Sequence, residues 1–159
     1  MKASAIVAIL VGIAVGVYSG MHLLIPLVLT GLAWWAIRTL RPDRSPDYVP
    51  AAAVQAGHLL WIAVGLVVIG ALTVDLVDIA ILLIGVVWLL VRPGLAPVIV
   101  LTIYQALALI INLFAFLSFP IGHNLHRALL VHILWRGLAL ILMWRAHHKA
   151  KGLAEASAY

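Results

Sequence analysis

Two almost uninterrupted apolar runs, residues 3–40 and 51–91, constrain this chain more than any other feature of its sequence. A bilayer core about 30 Å thick is crossed by about 20 helical residues, so each run is too long for one membrane span. Over the whole chain, 66% of the residues are hydrophobic and only 9% are charged. A soluble domain carries about a quarter charged residues on its surface. The sequence therefore predicts an all-α integral membrane protein with a single transmembrane domain over residues 1–159.

Polar and helix-breaking residues divide these runs. The first run breaks at 18–20, and the second at the polar stretch 73–78. Pro and Gly end further helices at 92–94 and 119–124, and the proline-rich stretch 41–50 is an exposed linker. The division predicts a compact bundle of about six transmembrane helices built as three hairpins: 3–18, 21–40, 51–72, 76–91, 95–118 and 124–146. The first and fourth of these spans are short, so a re-entrant or tilted helix is the alternative there.

Basic residues collect on one side of this predicted bundle. Because cytoplasmic loops carry an excess of Lys and Arg, the pattern predicts cytoplasmic N- and C-termini and suits a bacterial inner (plasma) membrane. The other side holds Asp75, Asp78 and a single base, Arg127. Basic residues at the ends of apolar runs also argue against nucleic acid as a partner, despite the net charge of +5. The bases on the predicted cytoplasmic side are Lys2, Arg38, Arg41, Arg44, Arg92, Arg145, Lys149 and Lys151.

Small residues recur at every fourth position of the first predicted span. Residues four apart share a helix face, so Ala8, Gly12 and Gly16, with Ser4 before them, form a groove that a second helix can approach closely. The groove serves either a homo-oligomer or packing within the same chain. Ala53, Gly57 and Gly65 form a poorer version of the same pattern on the third predicted span.

Several polar residues fall inside the predicted spans, where ionisable groups are costly and often functional. Arg136 lies near the middle of the last span, and the sequence places no acidic residue at its depth. Backbone carbonyls, nearby amides, water or a bound anion are then its expected partners. His58 is expected nearer the inner side and His132 nearer the outer side, which argues against a shared haem. The predicted transport path comprises Arg136, His132, Gln105, Asn112 and His58, with Gln55 one turn before His58.

A second polar group lies at the predicted outer surface. Imidazole and carboxylate together suit divalent metals such as zinc, nickel or manganese. The competing interpretation is ordinary polar capping of helix ends, which favours Asp at a helix N-terminus. The candidate metal ligands are His22, Asp75, Asp78, His123 and His126.

Three functions are compatible with these features. A transport-type protein, which moves an ion or a small solute such as an anion past Arg136, accounts for the polar residues in the spans. A non-catalytic membrane subunit that scaffolds or regulates a partner complex is the alternative. An intramembrane lipid-modifying enzyme using Ser19 and His22 is the third. The absence of cysteine excludes disulfides and thiolate chemistry, and the sequence carries no nucleotide-binding loop or HExxH motif, so an enzyme is not expected.

Overall fold

The computed structural model describes residues 20–41, 47–69, 74–120 and 124–156. Within these ranges the chain is all-helical, as the sequence predicts. The predicted span 3–18, with Ala8, Gly12 and Gly16, lies outside the described residues, so the count of six helices and an oligomer through that span stay predictions. The five described helices are α1 (Met21–Leu40), α2 (Val49–Ile69), α3 (Val74–Val91), α4 (Leu95–Ser118) and α5 (Asn124–Ala156).

Four of the described helices, α1, α2, α4 and α5, are long and apolar enough to cross a membrane. The apolar part of α3, Leu76–Val91, is shorter. Large apolar side chains cover the outside of the bundle, including Phe114 at 69% exposure and Leu117 at 72%. Such a surface suits a lipid environment and not water. The orientation of the bundle in the membrane stays a prediction.

The helix boundaries lie close to those predicted, with one exception. α1 and α4 match the predicted spans at both ends, and Gly20, with a φ of 52°, provides the sharp turn before α1. α5, however, runs to Ala156, ten residues beyond its predicted end at 146. Hydropathy falls there, but the segment "HHKAKGLAEA" contains good helix formers and no proline. A transmembrane helix therefore continues past the apolar segment.

α2 lies at the centre of the bundle and contacts α1, α3 and α5. At Gly57 it lies close to the backbone of α1, since an added Cβ would lie 2.6 Å from the Cα of Thr30. An added Cβ on Gly65, by contrast, meets nothing within 4 Å. Of the glycines singled out on this helix, Gly57 is thus the one that permits close packing of two backbones.

Apolar packing fixes the remaining helices around α2. A cluster near the start of α2 contains Leu89 of α3, Leu101 of α4 and Met143 of α5, all fully buried. Leu101 also packs against Gly85 of α3, where any larger residue would displace it. These contacts hold α3, α4 and α5 together beside the polar side chains described next.

Candidate functional site: a polar cluster inside the bundle

Polar side chains from four helices meet in the interior of the bundle. Gln55 and His58 lie on α2, Gln105 on α4 and Arg136 on α5, and each is at most 3% exposed. In a chain this apolar, the burial of so many hydrogen-bonding groups needs an explanation, because each unpaired group is destabilising. We call these residues, with Asp78 of α3 and His132 of α5, the interior cluster.

Arg136 is held by partners on two other helices. Its Nη2 donates to Oδ2 of Asp78 at 2.6 Å, and its Nη1 donates to Oε1 of Gln105 at 2.8 Å. The guanidinium carbon also lies 5.5 Å from the centroid of the Tyr104 ring, a cation–π distance. The arginine charge is therefore neutralised inside the bundle by a carboxylate.

The expectation that no acidic residue reaches the depth of Arg136 is thus wrong. It assumed that all spans begin at the same level. The contact shows that α3 and α5 are shifted along one another, since Asp78 lies about 6 Å and Arg136 about 18 Å from the start of its own helix. Asp78, one turn into the short α3, meets Arg136 three turns into the long α5, and the long arginine side chain closes the remaining gap.

Gln105 extends the cluster to α2. Its Oε1 accepts from Arg136, while its Nε2 donates to Oε1 of Gln55 across a longer distance of 3.5 Å. These hydrogen bonds form one continuous series, from Asp78 through Arg136 and Gln105 to Gln55. It joins α3, α5, α4 and α2 through polar side chains alone.

His58 and His132 form a second contact, adjacent to the first. Nε2 of His58 lies 2.7 Å from Nδ1 of His132, and the two rings are tilted by 58°. His132 is one helical turn before Arg136, so the histidine pair and the ion pair share a face of α5. Since one nitrogen must donate and the other accept, the tautomers of the two rings are coupled.

The expectation that these histidines lie at different depths is also wrong. α2 begins at Val49, two residues earlier than predicted, which places His58 about 13 Å from the start of its helix. His132 lies about 12 Å from the start of α5. The two helices start at opposite ends of the bundle, so both positions fall near its middle. The imidazole side chains span the small remaining difference in depth between the two backbones.

Several polar atoms of the cluster remain available for further hydrogen bonds. Gln55 Nε2, His58 Nδ1, Tyr104 OH and Arg136 Nε are buried and have no hydrogen-bond partner among the described residues. Leaving such an atom unsatisfied costs about 1–3 kcal/mol. The interior cluster is therefore richer in hydrogen-bonding capacity than the contacts within it use.

Asn112, the fifth residue of the predicted path, lies two turns beyond Gln105 on α4. Its Nδ2 is buried and has no hydrogen-bond partner within the described part of the chain. No contact links it to Arg136, so the structure brings together four of the five predicted path residues. It adds two that the path did not include, Asp78 and Tyr104. The signal for Asp78 was present, since it lies one turn inside an apolar helix instead of at its end.

The candidate metal ligands have other neighbours where they can be described. Asp78 pairs with Arg136, and the buried His126 ring stacks on Phe116 with centroids 3.8 Å apart. The side chains of His22, Asp75 and His123 lie outside the description, as does Ser19. Among the described residues, no three His, Asp or Glu side chains are grouped as metal ligands. A metal site and a Ser19–His22 catalytic pair stay predictions.

The two histidines of the interior cluster can each carry a proton on either ring nitrogen, whereas the guanidinium of Arg136 keeps its charge. The carboxylate of Asp78 is 18% exposed, against 3% for the Arg136 side chain. Comparison with known protein families, curated proteins and solved structures finds no match for this chain. The functional argument therefore rests on the cluster itself.

Proposed function

We propose that this chain is a transport-type membrane protein in which protons move through the interior cluster, coupled to the passage of an ion or small solute. The observation that carries the proposal is the contact between His58 and His132 beside the Arg136–Asp78 ion pair. Intramembrane ionisable residues facing the bundle interior mark ion pathways and proton relays in pumps and transporters. A cluster joining four apolar helices fits that role.

The ion pair changes which solute the cluster favours. An unpaired arginine would favour an anion, but the carboxylate of Asp78 neutralises Arg136. The neutral pair has no net charge to attract an anion, so the proton carried by the histidine pair is the ion that the cluster supports best. Asp78 is 18% exposed, so the ion pair is not fully enclosed by the bundle.

The histidine pair can pass a proton without leaving a net charge behind. In the starting state, Nδ1–H of His132 donates to Nε2 of His58, and His58 carries its proton on Nδ1. A proton binds to Nε2 of His132, the shared proton moves to Nε2 of His58, and His58 releases its Nδ1 proton. Each ring gains one proton and loses one, and both exchange tautomers. Nδ1 of His58, which is buried without a partner among the described residues, releases its proton to a water molecule that enters the bundle.

Proton uptake into liposomes tests this function. The purified protein is reconstituted with a pH-sensitive dye inside, and a potassium gradient with valinomycin sets the membrane potential. Wild-type protein should acidify the interior faster than protein-free liposomes, and His58→Asn and His132→Asn should return the rate to background. His147→Asn is the matched control, because His147 lies on α5 outside the cluster and packs against Trp144. Wild-type flux at background, or unchanged flux in both cluster variants, would contradict the proposal.

A second function, that of a non-catalytic membrane subunit, is favoured by the burial of Arg136 with both of its partners inside the bundle. Arg136 is 3% exposed and is bonded to both Asp78 and Gln105, so the cluster also serves to fix the packing of the helices. Buried polar contacts can specify which helix faces meet. In that case the liposomes show no flux, and cluster variants change only the stability of the protein.

A further inference from the structure

A cleft separates the start of α2 from the last turns of α5, at the end of the bundle opposite the loop between α4 and α5. Its volume is about 610 Å³. One part of its wall is apolar, formed by Ile141, Leu142 and Trp144, and the other part is basic. We call it the headgroup cleft.

The basic part of the headgroup cleft is formed by Arg145, His148 and Lys149. Nζ of Lys149 pairs with Oδ1 of Asp47 at 2.5 Å, while its side chain remains 67% exposed. Arg145 is exposed and has no ion pair with any described residue. The cleft carries one net positive charge, because Arg145 and Lys149 are positive and Asp47 provides a single carboxylate.

The two parts of the wall follow one another along a single face of α5. Ile141, Arg145 and Lys149 are spaced four residues apart and therefore lie on the same side of the helix. Ile141 is 59% exposed, as a side chain facing lipid would be. Trp144 lies where the face changes from apolar to basic, the position at which tryptophan is enriched in membrane proteins. Along this face of α5, an apolar part is followed by a basic part, just as the acyl chain of a phospholipid is followed by its phosphate.

We propose that the headgroup cleft binds an anionic phospholipid, with its phosphate at Arg145 and Lys149 and its acyl chain along Ile141 and Leu142. Arginine suits this role because its planar guanidinium can bind two phosphate oxygens at once. Basic pockets at the ends of transmembrane helices bind anionic headgroups in this way. A soluble phosphate compound would leave the apolar wall without a partner. The proposal is independent of proton transport.

Spin-labelled lipids measure this binding directly. The full-length protein is placed in membranes containing spin-labelled phosphatidylglycerol or spin-labelled phosphatidylcholine, and the motionally restricted fraction gives the relative affinity. Wild-type protein should restrict phosphatidylglycerol preferentially. Arg145→Gln should reduce this preference about fivefold, which corresponds to about 1 kcal/mol per basic residue at a membrane surface. Arg145→Gln combined with Lys149→Gln should abolish it, and Arg145→Lys should retain most of it.

Arg38→Gln is the matched control, because Arg38 is an exposed base whose guanidinium lies over Trp34 and does not line the cleft. An unchanged preference in the double variant, or an equal loss in Arg38→Gln, would overturn the proposal. A further arm adds inorganic phosphate or sulfate at equal ionic strength. Equal effects of the two salts support a lipid site, whereas selective displacement by phosphate would indicate a soluble ligand instead. Arg145→Gln and Arg38→Gln alter exposed side chains, so their melting temperatures should match that of the wild type. Lys149→Gln also leaves Asp47 without its ion-pair partner, so lipid binding of the double variant is measured at a temperature at which it is folded.

Discussion

Arg136 on α5 and Asp78 on α3 form an ion pair inside the helix bundle, with Nη2 and Oδ2 separated by 2.6 Å. Through Gln105, the same arginine is connected to α4 and onward to α2. The pair therefore adds a polar link between α3 and α5, which also share an apolar cluster. On α5, Arg136 lies one helical turn from His132, whose contact with His58 is the basis of the proposed proton transfer.

Breaking this pair on one side should strongly destabilise the protein. Asp78→Asn leaves the arginine charge buried, and Arg136→Gln leaves a carboxylate without its partner. Removing one member of a buried pair typically costs about 3–5 kcal/mol. Unfolding in mild detergent should show a loss of this order for each single variant. The double variant Asp78→Asn/Arg136→Gln should lose clearly less than the sum of the two. Additive losses would show that the two side chains are not coupled.

Gly57 should not tolerate even a single added methyl group. In Gly57→Ala the new Cβ meets the backbone of Thr30, so α1 and α2 must separate. Overpacking of this kind costs about 1–3 kcal/mol. Gly65→Ala on the same helix is the matched control, since its Cβ has open space. The control should be neutral or slightly more stable, because alanine favours helix. Equal melting temperatures for the two variants would refute a close contact at Gly57.

The charge distribution predicts the topology, which reporter fusions can measure. Fusions at residue 45 and after residue 159 should report a cytoplasmic location, and fusions within 120–123 an external one. The physical reason is the excess of Lys and Arg at the helix ends on the predicted cytoplasmic side. A C-terminal reporter on the external side would overturn both the orientation and the even number of spans.

The helix limits could be predicted from the sequence because apolar length and helix-breaking residues determine them. Gly20, Pro93 and Pro120 lie at or just beyond helix ends that the structure confirms. The extension of α5 could not be predicted from hydropathy, since it depends on helix propensity outside the apolar segment. Lys149 of this extension forms the basic part of the headgroup cleft together with Arg145, which lies near the end of the predicted span.

The interior cluster could be predicted only in part. Burial of Arg136, His58 and Gln105 follows from their positions within apolar spans. The pairing of Arg136 with Asp78, and of His58 with His132, depends on the relative depth and rotation of separate helices. A hydropathy pattern specifies which residues enter the membrane but not how far one helix is shifted along another.

Proton flux through the double variant His58→Asn/His132→Asn tests the central claim most directly. Each amide can still form a hydrogen bond but cannot pass a proton as an imidazole does, and the Arg136–Asp78 ion pair stays intact. The account predicts proton uptake by the wild type in the liposome assay, and uptake at the protein-free rate by the folded double variant. A folded double variant that takes up protons at the wild-type rate would contradict it.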